Sequence, residues 1–259
     1  MRTKAGIGAP ARARPAWRGW AGPLVALLAW LHAPSACQAQ AIAEQLAACK
    51  TETAALEARI GACSKLIERV KDEEVRIEAL LQRGVLHEQA GNRDRAIADY
   101  SEVIKLDATN AVAYFNRGNA YDQMGEQELA IADYTEAIKH DPTDPDAFNN
   151  RGQVYDGRGE YDLAIADYSQ SIKLNKDNPR AYFNRGLALS MQGEHERAVA
   201  DFGRAIKLEP GDAEAYANRG AAYEELGKEA EARADYRKAL ELAPDHEDAR
   251  EGLARLGEN

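Results

Sequence analysis

Apolar residues recur along most of the chain at helical spacing, in pairs of blocks separated by short polar stretches. In the segment 111–144, one block extends over Tyr114–Tyr121 and gives way to Gly125, and a second extends over Ala130–Ile138 and stops before Pro142. Glycine suits the left-handed conformation that ends a helix, and proline cannot extend one. The pattern therefore predicts a helix, a tight turn, a second helix and a short loop.

The same pattern returns with a period of 34 residues. One looser copy and four regular copies occupy the ranges 77–110, 111–144, 145–178, 179–212 and 213–246. An asparagine or aspartate stands where an N-cap is needed before each regular copy, at Asn110, Asp144, Asn178 and Asp212. A fixed period of this length predicts a stack of structural repeats, and no segment has the pattern of a strand.

The recurring residue types resemble the tetratricopeptide repeat (TPR) family in all five copies. Each copy has a small residue in the first helix (Gly84, Gly118, Gly152, Gly186, Gly220) and a turn glycine (Gly91, Gly125, Gly159, Gly193, Gly227). Each also has a second-helix alanine (Ala96, Ala130, Ala164, Ala198, Ala232) followed by an aromatic (Tyr100, Tyr134, Tyr168, Phe202, Tyr236). The resemblance implies an all-α fold, an α-α superhelical solenoid of helix-turn-helix repeats.

In this family the first helices line a concave groove that accepts a peptide or a helix of another protein. The resemblance implies ten groove positions here: Leu81, Val85, Phe115, Asn119, Asn149, Gln153, Phe183, Leu187, Ala217 and Ala221. Phe115 and Phe183 are either anchors exposed to a partner or residues that pack within the repeat. Asn116, Asn150, Asn184 and Asn218 are placed to hydrogen-bond the backbone of a partner.

Every copy also carries an arginine before the first-helix glycine and an aspartate before the second-helix aromatic. The arginines are Arg83, Arg117, Arg151, Arg185 and Arg219, and the aspartates are Asp99, Asp133, Asp167, Asp201 and Asp235. Both sets adjoin buried residue types, so we hypothesise one Arg–Asp pair per repeat. The spacing leaves open whether each pair forms within a repeat or across a boundary.

The first 41 residues are predicted to be a signal peptide. They contain five basic and no acidic side chains, an apolar run from Trp20 to Leu31, and then small residues. Cleavage after Ala39 or Ala41 fits the preference for small residues. The alternative is a bacterial lipoprotein anchored through Cys37, although Pro34 stands where that cleavage site has an aliphatic residue.

Residues 42–76 are predicted to form a degenerate N-terminal half-repeat. Cys49 and Cys63 are the two cysteines that remain after export, and in an oxidising compartment we expect them to form a disulfide. The alternative is a pair of buried, reduced cysteines. At the other end, residues 247–259 place Ala249, Leu253 and Leu256 on one face, which predicts a C-terminal capping helix.

Charge and the remaining motifs exclude several functional classes. The chain has a net charge of −10, which becomes −15 after loss of the five basic residues in 1–41, and this disfavours nucleic acid as a partner. We predict no enzyme, cofactor, metal site or membrane span, because no catalytic or ligand spacing occurs; Asp141, Asp144 and Asp146 lack the rest of a calcium loop. The sequence predicts a periplasmic scaffold or adaptor in the bacterial envelope that binds a peptide or helix of another protein, with a lipid-anchored structural subunit of an envelope assembly as the alternative.

Overall fold

The computed structural model describes residues 36–258, in which all regular secondary structure is helical. The chain divides into two compact units, here called unit 1 (through Pro142) and unit 2 (from Thr143). Unit 1 contains six helices: α1 (Ala36–Lys50), α2 (Leu56–Arg69), α3 (Glu73–Gln89), α4 (Arg93–Leu106), α5 (Ala111–Gln123) and α6 (Gln127–His140).

Unit 2 contains seven helices: α7 (Pro145–Gly157), α8 (Tyr161–Leu174), α9 (Pro179–Met191), α10 (His195–Leu208), α11 (Ala213–Glu225), α12 (Glu229–Leu242) and α13 (Glu247–Arg255). We call α3, α5, α7, α9 and α11 the first helices, and α4, α6, α8, α10 and α12 the second helices. Each first helix packs on the second helix that follows it. Within each unit, a second helix also packs on the next first helix, so each unit is a stack of helix pairs.

The helix boundaries follow from local residue chemistry. The side chain of Asn110 accepts a hydrogen bond from the Ala113 amide at 3.0 Å, and that of Asp212 accepts one from Ala215 at 3.2 Å. A turn glycine with positive φ follows each first helix two residues after its last helical residue; an example is Gly125, with φ of +79°. At this angle a side chain would be strained, so glycine fixes where the first helix stops.

The core of each stack is built from a glycine that faces an aromatic ring. A Cβ atom added to Gly186 would lie 2.7 Å from the Phe202 ring, so only glycine permits this approach. The equivalent rings are fully buried or nearly so, at Tyr100, Tyr134, Tyr168 and Tyr236. The aromatic ring fills the space between paired helices and stabilises each repeat by removing a large apolar surface from water.

All five Arg–Asp pairs form within a repeat, between its first and second helices. In one of them, Arg185 donates from Nε to Asp201 Oδ2 at 2.7 Å and from Nη2 to Oδ1 at 2.8 Å. The same bidentate arrangement joins Arg83 to Asp99, Arg117 to Asp133, Arg151 to Asp167 and Arg219 to Asp235. The aspartates are buried, so the two hydrogen bonds offset the loss of their hydration.

The same arginines also reach back to the preceding second helix. Arg185 Nη1 donates to Ser169 Oγ at 3.0 Å, and Arg117 Nη1 donates to Ser101 Oγ at 2.9 Å. The guanidinium group of Arg185 therefore contacts three helices, α8, α9 and α10. This arrangement links the pairing inside a repeat to the register between neighbouring repeats.

At the N-terminal end of the described chain, α1 and α2 form a complete helix pair. A disulfide joins Cys49 of α1 to Cys63 of α2, whose Cα atoms lie 5.0 Å apart. Helix α1 begins at Ala36, so the segment predicted as a half-repeat from residue 42 is part of a longer helix pair. Most of the predicted signal peptide lies outside the described residues. The side chain of Cys37, the predicted alternative site of lipidation, is also outside them.

Helix α13 lies against α12 and α11 at the C-terminal end of unit 2. Ala249 is buried, and Leu253 and Leu256 pack against a cluster that includes Ala217 and Tyr236. The apolar residues of the predicted capping helix thus face the last repeat.

Candidate functional site

The four groove positions predicted in unit 1 are buried. Leu81, Val85, Phe115 and Asn119 are between 1% and 8% exposed. The Phe115 ring packs against Tyr134 with centroids 6.0 Å apart, and Asn119 Oδ1 accepts a hydrogen bond from the Tyr134 hydroxyl at 2.8 Å. The interpretation of Phe115 as an exposed anchor is therefore wrong, because packing inside the unit has removed the ring from water.

The positions predicted in unit 2 behave differently. Gln153, Phe183 and Leu187 are half-buried, whereas Asn149 is buried. Phe183 packs on Phe202 with centroids 5.7 Å apart and is half-buried, in contrast to Phe115. The last two candidates, Ala217 and Ala221, are buried and exposed, respectively.

A network of side-chain amides connects α7 to α9. Asn184 Nδ2 donates to Asn149 Oδ1 at 3.2 Å. Arg180 Nη2 donates to Gln153 Oε1 at 2.8 Å and to Asn150 Oδ1 at 3.3 Å. These hydrogen bonds fix polar side chains of two neighbouring first helices beside the apolar surface of Phe183.

Two side-chain amide atoms of this network make no hydrogen bond to the described residues of the protein. Across the described part of unit 2, Gln153 Nε2 donates to no protein group and Asn184 Oδ1 accepts from none. One is a hydrogen-bond donor and the other an acceptor, which are the two functions that a peptide backbone requires. The arrangement can bind a chain segment by its backbone and by an apolar side chain together.

The structure also draws attention to a row of carboxylates that sequence reasoning missed. Glu88, Asp122, Asp156 and Glu224 are each the penultimate residue of a first helix. Burial raises the pKa of Asp156 to about 6 and that of Glu88 to about 7, and it also raises the pKa of Asp122. The signal in the sequence is an acidic residue twelve positions before the buried aromatic, in four of the five repeats.

Glu224 differs from the other three because it has a cationic partner. Arg255 of α13 donates from Nε to Oε1 at 2.9 Å and from Nη2 to Oε2 at 3.0 Å. The Tyr236 hydroxyl donates to Glu224 Oε2 at 2.7 Å. The hydrogen bonds from Arg255 are the main reason that the pKa of Glu224 is lowered rather than raised.

Neither a metal centre nor a membrane span is visible in the part of the chain that the structure describes. Residues 40–258 contain no group of three or more His, Cys, Asp and Glu side chains arranged to hold a metal ion. None of the helices described here combines the length and the hydropathy that crossing a bilayer requires.

Comparisons with known proteins identify the repeats. The sequence profile of the TPR repeat matches residues 84–125, 118–156, 158–193 and 191–227, and that of the tetratricopeptide repeat matches residues 213–246. No curated protein sequence matches the chain at a significant level.

Solved structures agree with the profiles. MamA is 30% identical with a TM-score of 0.60, and the match covers 62% of this chain and 94% of MamA. YrrB, a TPR protein with an unusual peptide-binding site, is 26% identical with a TM-score of 0.66, over 75% of this chain and 99% of YrrB. A TPR protein from Parabacteroides merdae, 19% identical with a TM-score of 0.63 over 83% of this chain and 98% of its own, shares the fold.

Repeat pattern, helix pairs and relatives lead to the same conclusion. The all-α helical repeat and its similarity to YrrB and MamA indicate a protein–protein interaction scaffold. The profiles together extend over residues 84–246, more than half of the chain. The chain therefore belongs to the tetratricopeptide repeat family.

Proposed function

We propose that the protein binds an extended segment of another protein on the first-helix face of unit 2. We define this face by Gln153, Phe183, Asn184 and Leu187, which lie on α7 and α9. One observation supports the proposal above all. Two amide atoms without a hydrogen bond to the described part of the protein lie on the same face as the half-buried Phe183 and Leu187.

The amide chemistry favours an extended partner over a helical one. In a helix the backbone groups are satisfied internally, whereas an extended segment presents its N–H and C=O groups to a receptor. Gln153 Nε2 can donate to such a carbonyl, and Asn184 Oδ1 can accept from such an amide. Phe183 and Leu187 then supply the apolar contact for a side chain of the segment.

Similarity to YrrB supports binding of a peptide, since YrrB is a TPR protein with an unusual peptide-binding site.

Two features support a location in the bacterial envelope. The basic and apolar start of the chain has the order of a signal peptide, and the Cys49–Cys63 disulfide fits an oxidising compartment. Intact-mass spectrometry of the exported protein tests this location. We expect a chain that begins at Gln40 or Ile42, and a diacylglycerol adduct on Cys37 would contradict it.

Site-specific photo-crosslinking tests the binding face. A photoreactive p-benzoylphenylalanine replaces Gln153 or Leu187 in two variants and Leu163 in a control. Leu163 suits the control because it is 48% exposed and lies on the second helix α8.

We expect Gln153 and Leu187 to crosslink to the same segment of the same partner, identified by mass spectrometry, and Leu163 to give no such product. Crosslinks from Leu163 alone, or equal yields from all three positions, would contradict the proposed face.

A further inference from the structure

We propose that Asp156 in unit 2 and Glu88 in unit 1 are each receptors for an arginine side chain of the partner, in the way that Glu224 receives Arg255. This inference rests on the proposed function and specifies the chemistry of the segment that is bound: it contains arginine. The sites are argued separately, one in each unit.

The three carboxylates occupy equivalent positions in their repeats. Glu88, Asp156 and Glu224 are separated by two periods each, and every one is the penultimate residue of a first helix. The C-terminal end of a helix carries partial negative charge, so a carboxylate there is unfavourable without a cation. The repeated placement of an acid at this end points to a cationic partner.

At Glu224 the cationic partner is Arg255 of the same chain. Arg255 binds Glu224 through two parallel hydrogen bonds of 2.9 and 3.0 Å, and the Tyr236 hydroxyl completes the group at 2.7 Å. Arg255 belongs to α13, which follows the last repeat and packs on it. The chain thus contains one occupied copy of the site, filled by its own terminal helix.

Asp156 is the copy in unit 2, where Leu187 of α9 stands at the position that corresponds to Arg255. Its side chain is half-buried and makes no hydrogen bond or ion pair within residues 40–258. Burial without a partner raises the pKa of this carboxyl to about 6, in contrast to the lowered pKa of Glu224. A guanidinium group of a partner can donate to Asp156 the two hydrogen bonds that Glu224 receives from Arg255.

Glu88 and Tyr100 form the corresponding site in unit 1, where no guanidinium group of the described residues hydrogen-bonds to either side chain. Tyr100 is fully buried, and its hydroxyl makes no hydrogen bond among the described residues. Glu88 Oε1 is likewise buried and unpartnered in that part of the chain. The hydroxyl and the carboxylate lie near each other without a hydrogen bond of normal length, and Arg93, whose charge partly counters the rise in the pKa of Glu88 that burial causes, donates to Gln123 Oε1 at 3.1 Å.

Arginine fits these sites better than lysine or a metal ion. A single carboxylate accepts two parallel hydrogen bonds from a planar guanidinium, whereas an ammonium group offers a point charge. A divalent cation needs several ligands, and no such group of side chains lies in residues 40–258. The net charge of −10 also favours a basic segment as the partner.

Fluorescence anisotropy with designed peptides tests the inference. The probe is a fluorescein-labelled alanine–serine peptide that carries arginines, and matched probes carry citrulline or lysine at the same positions. The proteins are wild type, Asp156→Asn, Glu88→Gln and the control Glu196→Gln, in which an exposed acid on α10 is neutralised.

We expect wild type to bind the arginine peptide at least about tenfold more tightly than the citrulline peptide, and more tightly than the lysine peptide. Asp156→Asn and Glu88→Gln should each remove one of the two binding sites for the arginine peptide and so lower the number of peptides bound per protein, while Glu196→Gln matches wild type. Equal binding by all four proteins, equal affinities for arginine and lysine, or no binding of the arginine peptide would overturn the inference.

The outcome is independent of the crosslinking result. Crosslinks confined to Gln153 and Leu187, with arginine binding unaffected by Asp156→Asn, would retain the proposed function and reject the arginine receptors. Crosslinks confined to Leu163, with one arginine site lost in Asp156→Asn, would reject the proposed face and retain the receptor at Asp156.

Discussion

Gly203 leaves a gap beside Arg219 that other repeats fill with a hydroxyl group. A Cβ atom on Gly203 would lie 3.5 Å from Arg219 Nη1, an ordinary van der Waals contact. At the equivalent position, Ser169 accepts a hydrogen bond from Arg185 Nη1 at 3.0 Å. Arg219 therefore keeps the bidentate pair with its own aspartate but lacks the link to the preceding second helix.

Replacing this glycine should stabilise the protein. We expect Gly203→Ser to raise the free energy of unfolding by about 1–2 kcal/mol, from higher helix propensity and a new hydrogen bond from Arg219. Urea denaturation followed by circular dichroism measures the change. Gly203→Ala is the matched control because it improves propensity without offering an acceptor.

The hydrogen bond itself is isolated by repeating both substitutions in an Arg219→Lys background. We expect the serine variant to lose about 0.5–1.5 kcal/mol of its gain there, while the alanine variant keeps its gain. A serine effect that does not depend on Arg219 would contradict the proposed link.

The Arg185–Asp201 pair should show strong energetic coupling. Arg185→Leu leaves a buried carboxylate without its partner, and we expect a loss of about 3–5 kcal/mol in unfolding free energy. The double variant Arg185→Leu/Asp201→Leu should lose less than the sum of the single variants. Additive losses in the same denaturation assay would show that the pair does not act as a unit.

An exposed pair provides the control for this cycle. Lys139 and Glu136 lie 2.7 Å apart at the surface of α6, where solvent and side-chain entropy weaken the attraction. We expect no measurable coupling between them.

Asp156→Asn should stabilise the protein in a pH-dependent way. Burial raises the pKa of this carboxyl from 3.8 to about 6, so the folded state favours the protonated form. The stabilising contribution of the protonated group is present below pH 4 and is lost as the pH rises through about 6. Because the side chain is partly exposed, we expect the variant to gain about 1 kcal/mol at pH 8 and nothing at pH 4.

Denaturation at the two pH values measures this difference. A gain of equal size at pH 4 and pH 8 would show that ionisation of Asp156 is not the cause. The same measurement is a control for the anisotropy experiment. If Asp156→Asn is more stable than wild type but binds less arginine peptide, the loss of binding is not caused by unfolding.

The disulfide between α1 and α2 should stabilise the N-terminal end of unit 1. It joins residues 14 positions apart, and closing a loop of this size constrains the unfolded chain by about 3 kcal/mol. We expect Cys49→Ala/Cys63→Ala to show earlier urea unfolding than wild type. Wild type treated with a reductant should behave in the same way, and an unchanged transition in both would contradict a stabilising role.

The sequence was sufficient for most of the local structure. A 34-residue period, the cap at Asn110 and the turn at Gly125 act through chemistry close in the chain, and the helices begin and end where these residues predict. The arginine and aspartate of each repeat are also found together, sixteen residues apart. Their spacing alone could not decide between pairing inside and across repeats, because Arg185 is sixteen residues from Asp201 and eighteen from Asp167.

The candidate site was less accessible to sequence reasoning. Phe115 and Phe183 occupy equivalent positions, yet the first is 3% exposed and the second is half-buried. Their exposure depends on the side chains that surround them in three dimensions, which the repeat pattern does not specify. The repeat pattern could not predict the Arg255–Glu224 pair, because Arg255 lies in α13, which follows the last repeat and does not share the 34-residue period.

The affinity of the crosslinked partner segment, made as a synthetic peptide, tests the central claim most directly. Isothermal titration compares wild type with Gln153→Ala/Leu187→Ala, and Leu163→Ala serves as the control on the second-helix face. We predict at least about tenfold weaker binding by the double variant, with wild-type affinity for the control. Equal affinities for all three proteins, or a loss confined to Leu163→Ala, would contradict binding on the first-helix face of unit 2.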